Sequence, residues 1–223
     1  MPGFHIRLYQ DSDYEVVRDI FARGTKEHIS PAFYHTLSLP YVWGLLLAVF
    51  FGLLLTTGSF LLSVLAVYVY VAMLWLLNWY GYVGYVIDTL ETDLLDIRRY
   101  YLERDGYCFW VAESEGEIVG TVAAIPPCSS TGGNHVELKR LSVPTRHRGR
   151  GIGKALCRMV IEYARERSCD AVVLDTCLSQ TAALKLYEKV GFKRTETTYA
   201  SFVLSKFIDF RVLAFQYDIA FHK

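Results

Sequence analysis

Hydrophobic and polar positions are distributed very unevenly along this chain. Between Thr36 and Ile87 there is no Asp, Glu, Lys, Arg or His. As a single straight helix the core of that run, Tyr41–Leu77, would measure roughly 56 Å at 1.5 Å per residue. The hydrocarbon core of a bilayer is only about 30 Å thick. A polar break at Thr56-Thr57-Gly58-Ser59 splits the run into Leu39–Leu55 and Phe60–Leu77, each near the short limit for a spanning helix. Trp43, Trp75, Trp79 and Tyr80 sit near the outer ends, where interfacial aromatics belong. The pattern predicts a helical hairpin over residues 36–81 that crosses or dips into a membrane and returns. The alternative, a buried core hairpin, asks too much of a domain this small, which could hardly cover it on all sides. The run begins too far from Met1 to be a cleaved signal peptide.

The flanks show shorter periods. Phe4–Tyr9 alternates like a strand, and Asp11-Ser12-Asp13 offers capping groups to an amphipathic helix over Tyr14–Arg23. Asp88–Arg104 places Leu90, Leu94, Leu95, Ile97, Tyr101 and Leu102 near helical spacing. Cys108–Glu113 and Ile118–Ile125 read as strands of a hairpin, followed by a Pro-, Ser- and Gly-rich loop over Pro126–Asn134. A strand over Val136–Val143 leads through a glycine-rich turn into a helix ending near Ser168. Ala171–Thr176 is a continuous apolar strand, Ser179–Val190 a helix closed by Gly191, and Phe210–Ile219 a final strand. A hairpin returns its two ends to one side, so residues 1–35 and 82–223 can form a single domain around the insertion.

The strand over Val136–Val143 changes parity. Val136 and Leu138 share one face, while Leu141 and Val143 fall on the other. One extra residue near Lys139–Arg140 would return all four to a common face. Such a bulge splays the strand and leaves backbone groups free to bind a ligand.

Composition narrows the chemistry. Lys+Arg and Asp+Glu balance at 23 each, so no global basic charge argues for nucleic acid. The five cysteines contain no CxxC pair, which suggests reduced thiols and no metal site.

The turn Arg146-His147-Arg148-Gly149-Arg150-Gly151-Ile152-Gly153 looks built for phosphate. It is not a P-loop, because Arg148 stands where the first glycine belongs and Ala155 replaces the hydroxyl after Lys154. It fails the dinucleotide fingerprint at Lys154. It fits R-x-x-G-x-G at Arg148, Gly151 and Gly153. Successive amides at a helix start, with the helix dipole behind them, converge on an anion. Glycines remove the β-carbons that would hold a pyrophosphate away. Arg146, Arg148 and Arg150 could add charge-assisted hydrogen bonds. A solvated turn with incidental arginines is the plain alternative.

The helix after Ala171–Thr176 completes a second pattern, A-x-x-L-Y-x-x-x-G-F, from Ala183 through Tyr187 to Phe192. With both patterns present the chain resembles the GNAT superfamily of acetyl-CoA-dependent N-acetyltransferases. The inserted hairpin, the phrase FWVAE and the strand end LDT resemble its camello group, N-acetyltransferase family 8. That resemblance implies an α+β fold with a central mixed, mostly antiparallel sheet flanked by helices. It implies a membrane-bound enzyme of endoplasmic reticulum or Golgi. Acetyl would pass directly from acetyl-CoA to an amine: a cysteine S-conjugate, an amino acid or a protein lysine. The Arg23 and Lys26 side chains before the hairpin and Arg98 and Arg99 after it place the catalytic domain in the cytosol.

Site roles follow from the same likeness. Amides of Arg148, Gly149, Arg150, Gly151, Ile152, Gly153 and Lys154 would hold the diphosphate. Leu141, Ser142 and Val143 would also bind the cofactor, with an amide near Leu141 donating to the thioester oxygen. Gln180 stands where many members carry Asn, and Ala183 follows it. Tyr187 would protonate the departing thiolate, unless it is simply a core tyrosine. Glu137 would be the base, unless it is a strand glutamate paired with Lys139 or Arg140; His135 is a weaker choice. A catalytically inert acetyl-CoA-binding membrane module is the other function class left open.

Overall fold

The computed structural model describes residues 3–126 and 133–219. Most of the loop expected over Pro126–Asn134 lies outside them. One seven-stranded sheet organises the chain, in the order β1-β2-β3-β4-β5-β7-β6. Its strands are β1 (His5–Leu8), β2 (Cys108–Ser114), β3 (Glu117–Ile125), β4 (His135–Ser142), β5 (Ala171–Cys177), β6 (Lys193–Tyr199) and β7 (Arg211–Asp218). Only β4 and β5 run parallel; every other neighbouring pair is antiparallel.

Helices α5 (Ile152–Glu166) and α6 (Thr181–Val190) cover one face of the sheet. Leu156, Cys157 and Val160 of α5 are fully buried there against Val122, Val136 and Val172. At Gly120 the approach is so close that a β-carbon would lie 3.0 Å from Ile152 and from Leu156. The other face carries α1 (Tyr14–Lys26) and the inner end of α4 (Phe60–Glu91), packed through Val17, Phe21 and Val86 on Phe109, Val111 and Ala123.

The apolar run forms α3 (Pro40–Thr57) and α4, joined where Gly58 takes a left-handed φ of 64° and Ser59 caps α4 through the Leu62 amide. Both helices are long and apolar enough to cross a membrane. Their outer parts are bare: Leu55 is 84% and Leu61 78% exposed. The inner half of α4 is different. It buries Leu74, Asn78, Tyr82, Val86 and Thr89, a spacing near four that marks one helix face. That face meets α2 (Ile29–Leu37) and the segment before β7. Asn78 donates to Thr36 Oγ1 at 3.2 Å, and Thr36 donates to the Ile208 carbonyl at 3.0 Å.

Four expectations need correction. The first helix runs three residues further, to Lys26. Asp88–Arg104 is not one helix: α4 ends at Glu91, a turn follows, and a π-helical turn spans Arg98–Leu102. Its apolar spacing was real, but Leu94, Ile97 and Tyr101 reach the core from separate turns. Helix α2 and strand β6 were not foreseen. All seven residues of β6 are exposed, so it has no buried face to write an alternation into the sequence.

The Gly120 contact gives a direct test of this layer. Leu156→Ala, at a fully buried position, should lower stability by about 2–5 kcal/mol, read as a shifted denaturant midpoint.

Candidate active site

The parity change in β4 is a bulge. Glu137, Leu138 and Lys139 face Ile125, Ala124 and Ala123 in regular register, and then Ser142 faces Thr121. Two residues, Arg140 and Leu141, therefore stand opposite Val122 alone. Val136, Leu138, Leu141 and Val143 all pack against the same cluster, as the parity required.

On its other edge β4 leaves β5 early. Their parallel ladder holds three pairs, His135–Ala171, Val136–Val172 and Glu137–Val173. From Leu174 onward β5 pairs with β7 alone. The two strands diverge, and the bulge residues line the gap with no partner in either ladder.

The glycine turn stands at the mouth of this gap. Gly149 and Gly151 take φ of 79° and 84°. A β-carbon at either would meet nothing within 4 Å, so the left-handed backbone, not crowding, calls for glycine there. Gly153 is glycine for the other reason: its β-carbon would lie 2.9 Å from Leu186 of α6. Among the described residues, the amides of Gly149 through Lys154 find no acceptor; the first amide of α5 to do so is that of Ala155, on the Gly151 carbonyl at 3.0 Å. Six donors at a helix start suit a diphosphate.

The three arginines are engaged elsewhere. Arg148 donates from Nε to the Val143 carbonyl at 2.9 Å and pairs with Glu27. Arg146 pairs with Glu117, and Arg150 donates to Ser114 Oγ at 3.1 Å. They brace the turn from behind, which leaves its amides free. Glu27, at the end of α1, also accepts from Thr145 at 3.1 Å; nothing in its local sequence marked that role. Ser142 donates to the Ile20 carbonyl at 3.2 Å, where α1 crosses β4.

Gln180 caps α6. Its carbonyl accepts from the amides of Ala183 and Leu184 at 2.9 and 3.0 Å, and its side chain accepts from Thr176 at 2.6 Å. Two turns on, Tyr187 is 5% exposed, between the rings of Phe192 and Phe215. Burial raises its phenol pKa, with smaller contributions from Cys157 on α5 and Tyr85 on α4. The phenol stays protonated at physiological pH.

Glu137 forms an ion pair with Lys139 at 3.1 Å. It forms the last rung before the strands part, opposite Val173. A second carboxylate, Asp175, which no local sequence pattern marks, lies two residues along β5 on the same face. Its pKa is raised, first by burial and then by Glu137.

A sheet with one parallel pair opened by a bulge, beside an amide-lined turn, defines a GNAT acetyltransferase. Residues 71–192 match the family described as Acetyltransferase (GNAT) family. The chain is 44% identical to N-acetyltransferase 8 of Rattus norvegicus over 98% of its own length and 99% of that protein. It is also 44% identical to N-acetyltransferase 8F1 of Mus musculus over 90% and 91% of the two chains. It therefore belongs to the N-acetyltransferase 8 group of the GNAT family. Two solved structures share the fold. One is a GNAT acetyltransferase of Staphylococcus aureus (TM-score 0.56, 20% identity, 95% of this chain and 97% of that one). The other is yncA of Salmonella typhimurium with its cofactor acetyl-CoA (TM-score 0.55, 16% identity, 99% and 96%).

A β-carbon forced into the left-handed region costs about 1–2 kcal/mol. Gly151→Ala should accordingly weaken acetyl-CoA binding about tenfold in calorimetry, whereas Gly44→Ala, at an open position of α3, should leave it unchanged.

Proposed function

We propose that this N-acetyltransferase is membrane-bound and transfers acetyl from acetyl-CoA directly to an amine: a cysteine S-conjugate, an amino acid or a protein lysine. The observation that carries the reading is the gap between β4 and β5, entered beside the unclaimed amides of Gly149 through Lys154. Acetyl-CoA brings an acetyl group already activated as a thioester.

The chain supplies the rest. The amides from Gly149 to Lys154 hold the diphosphate; that of Arg148, expected among them, is instead spent on the Thr145 carbonyl at 3.2 Å. Leu141, Ser142 and Val143, with Gln180 and Ala183 across the gap, flank the arm that carries the acetyl group. The Leu141 amide, freed by the bulge, donates to the thioester oxygen as negative charge develops there. Glu137 removes a proton from the acceptor ammonium, directly or through water. Tyr187, kept neutral by burial, returns a proton to the thiolate.

The hairpin supports membrane attachment. Eighteen residues of α3 span about 27 Å, close to a bilayer core. Exposed Tyr41, Trp43, Trp79 and Tyr80 ring its domain end, where amphipathic aromatics favour the interface. Arg23, Lys26, Arg98 and Arg99 flank it, which favours a cytosolic catalytic domain in the endoplasmic reticulum or Golgi.

Thiol release from acetyl-CoA against S-benzyl-cysteine, aspartate and a lysine peptide tests the chemistry. Glu137→Gln should reduce turnover about 10²-fold, and Tyr187→Phe at least about tenfold. Equal turnover in all three proteins would remove these two roles. Binding of acetyl-CoA without thiol release from any acceptor would favour the inert module. In sealed microsomes, added protease should digest the C-terminus; a protected C-terminus would place the domain in the lumen.

A further inference from the structure

Arg140 is one of four non-glycine residues with positive φ among those described, and the only one inside a strand. Glu115, Ser168 and Asp209 lie in connections, whereas Arg140, with φ of 55°, is the bulge residue of β4. That conformation is unfavourable for a residue with a β-carbon and persists only where surrounding contacts enforce it.

The contacts are unusually complete. Thr121 Oγ1 donates to the Arg140 carbonyl at 2.9 Å. The guanidinium donates to both oxygens of Asp93, Nε to Oδ2 at 2.8 Å and Nη2 to Oδ1 at 2.6 Å. Its third nitrogen, Nη1, donates to the Tyr85 hydroxyl at 2.5 Å. The Phe21 and Tyr85 rings lie 5.3 and 5.6 Å from the guanidinium carbon. Tyr101, presented by the π-helical turn, donates to Asp93 Oδ2. The side chains of Arg140 and Asp93 are only 10% and 6% exposed.

Burying two charges usually gains little stability over apolar packing. What the pair does fix is position. It holds the residue immediately before Leu141, and it holds it from outside the sheet. Tyr85 is on α4, and Asp93 lies two residues beyond its end. The helix that leaves the domain as the hairpin's second arm is the same one that grips the bulge.

We propose that Asp93, supported by Tyr85 and Tyr101, is a positioning residue for acetyl transfer. Through the Arg140 guanidinium it sets the backbone of the bulge and aims the Leu141 amide at the thioester oxygen. This rests on the reading of that amide given above. Acceleration by a preorganised donor depends on sub-ångström placement, and a single forked ion pair with two tyrosine hydroxyls supplies that rigidity.

The test uses full-length protein in detergent micelles: wild type, Asp93→Asn, Arg140→Lys and Tyr85→Phe. Three quantities are read: turnover with the best acceptor of the panel above, acetyl-CoA affinity by calorimetry, and the carbonyl stretch of bound ¹³C-acetyl-CoA by difference infrared spectroscopy. Asp93→Asn, of the same shape, should lower kcat about 10²-fold with acetyl-CoA affinity little changed, and its carbonyl band should move back toward the free thioester. Arg140→Lys keeps the charge without the fork and should show the same band movement. Tyr85→Phe leaves the ion pair in place and should move the band part of the way. It decides the matter if the other two variants do not fold. An unmoved carbonyl band, or a kcat loss that only follows the loss of binding and folded protein, overturns the positioning role. Wild-type protein that neither binds nor consumes acetyl-CoA would overturn the site assignment itself, and this proposal with it.

Discussion

The early parting of β4 from β5 is the constraint on which the rest of this molecule depends. Their parallel ladder ends at Glu137 and Val173. Parallel neighbours inside a sheet normally keep all their backbone groups paired. Here the bulge at Arg140 and Leu141 turns β4 away, and β5 continues with β7 instead. The unpaired edge exposes polar backbone to a ligand. Helices α5 and α6 close one side of the gap, and their contact at Gly153 and Leu186 brings the amide turn within the same neighbourhood as Tyr187.

That geometry assigns a division of labour within the glycine turn. Charge attracts phosphate, yet the arginines of the turn are tied to Glu27, Glu117, Ser114 and the Val143 carbonyl. Their work is to hold the loop to α1, β2, β3 and the end of β4. That leaves the backbone donors of the turn free, their direction set by two left-handed glycines. A site built this way is insensitive to side-chain rotamers and sensitive to backbone dihedrals.

The apolar helix α4 joins two environments. Its outer turns touch only α3 and leave most side chains exposed, while its inner turns carry one buried face at Leu74, Asn78, Tyr82 and Val86. The hairpin is therefore not a tether attached to a finished domain. Its second arm forms part of the domain's packing, and its end reaches the bulge through Tyr85 and Asp93. Movement of that arm would be felt at the centre of the sheet.

Much of this could be read from residues in order. A break at Thr56–Ser59, the parity change at Lys139–Arg140, the turn around Gly151 and the helix from Ala183 to Phe192 are local patterns, and periodicity over a few residues encodes them directly. The sequence also determined the family, because both glycine patterns depend on short-range backbone requirements. Other features had no local signature. Strand β6 is exposed at every position, so only its neighbour β7 makes it a strand. Glu27, Asp175 and the pair Arg140–Asp93 matter through partners far along the chain, 121 residues away for Glu27 and Arg148 and 47 for Asp93 and Arg140. A periodicity records which face of an element is buried; which charged group waits on the opposite element is fixed only when the two pack, and tertiary structure alone decided it.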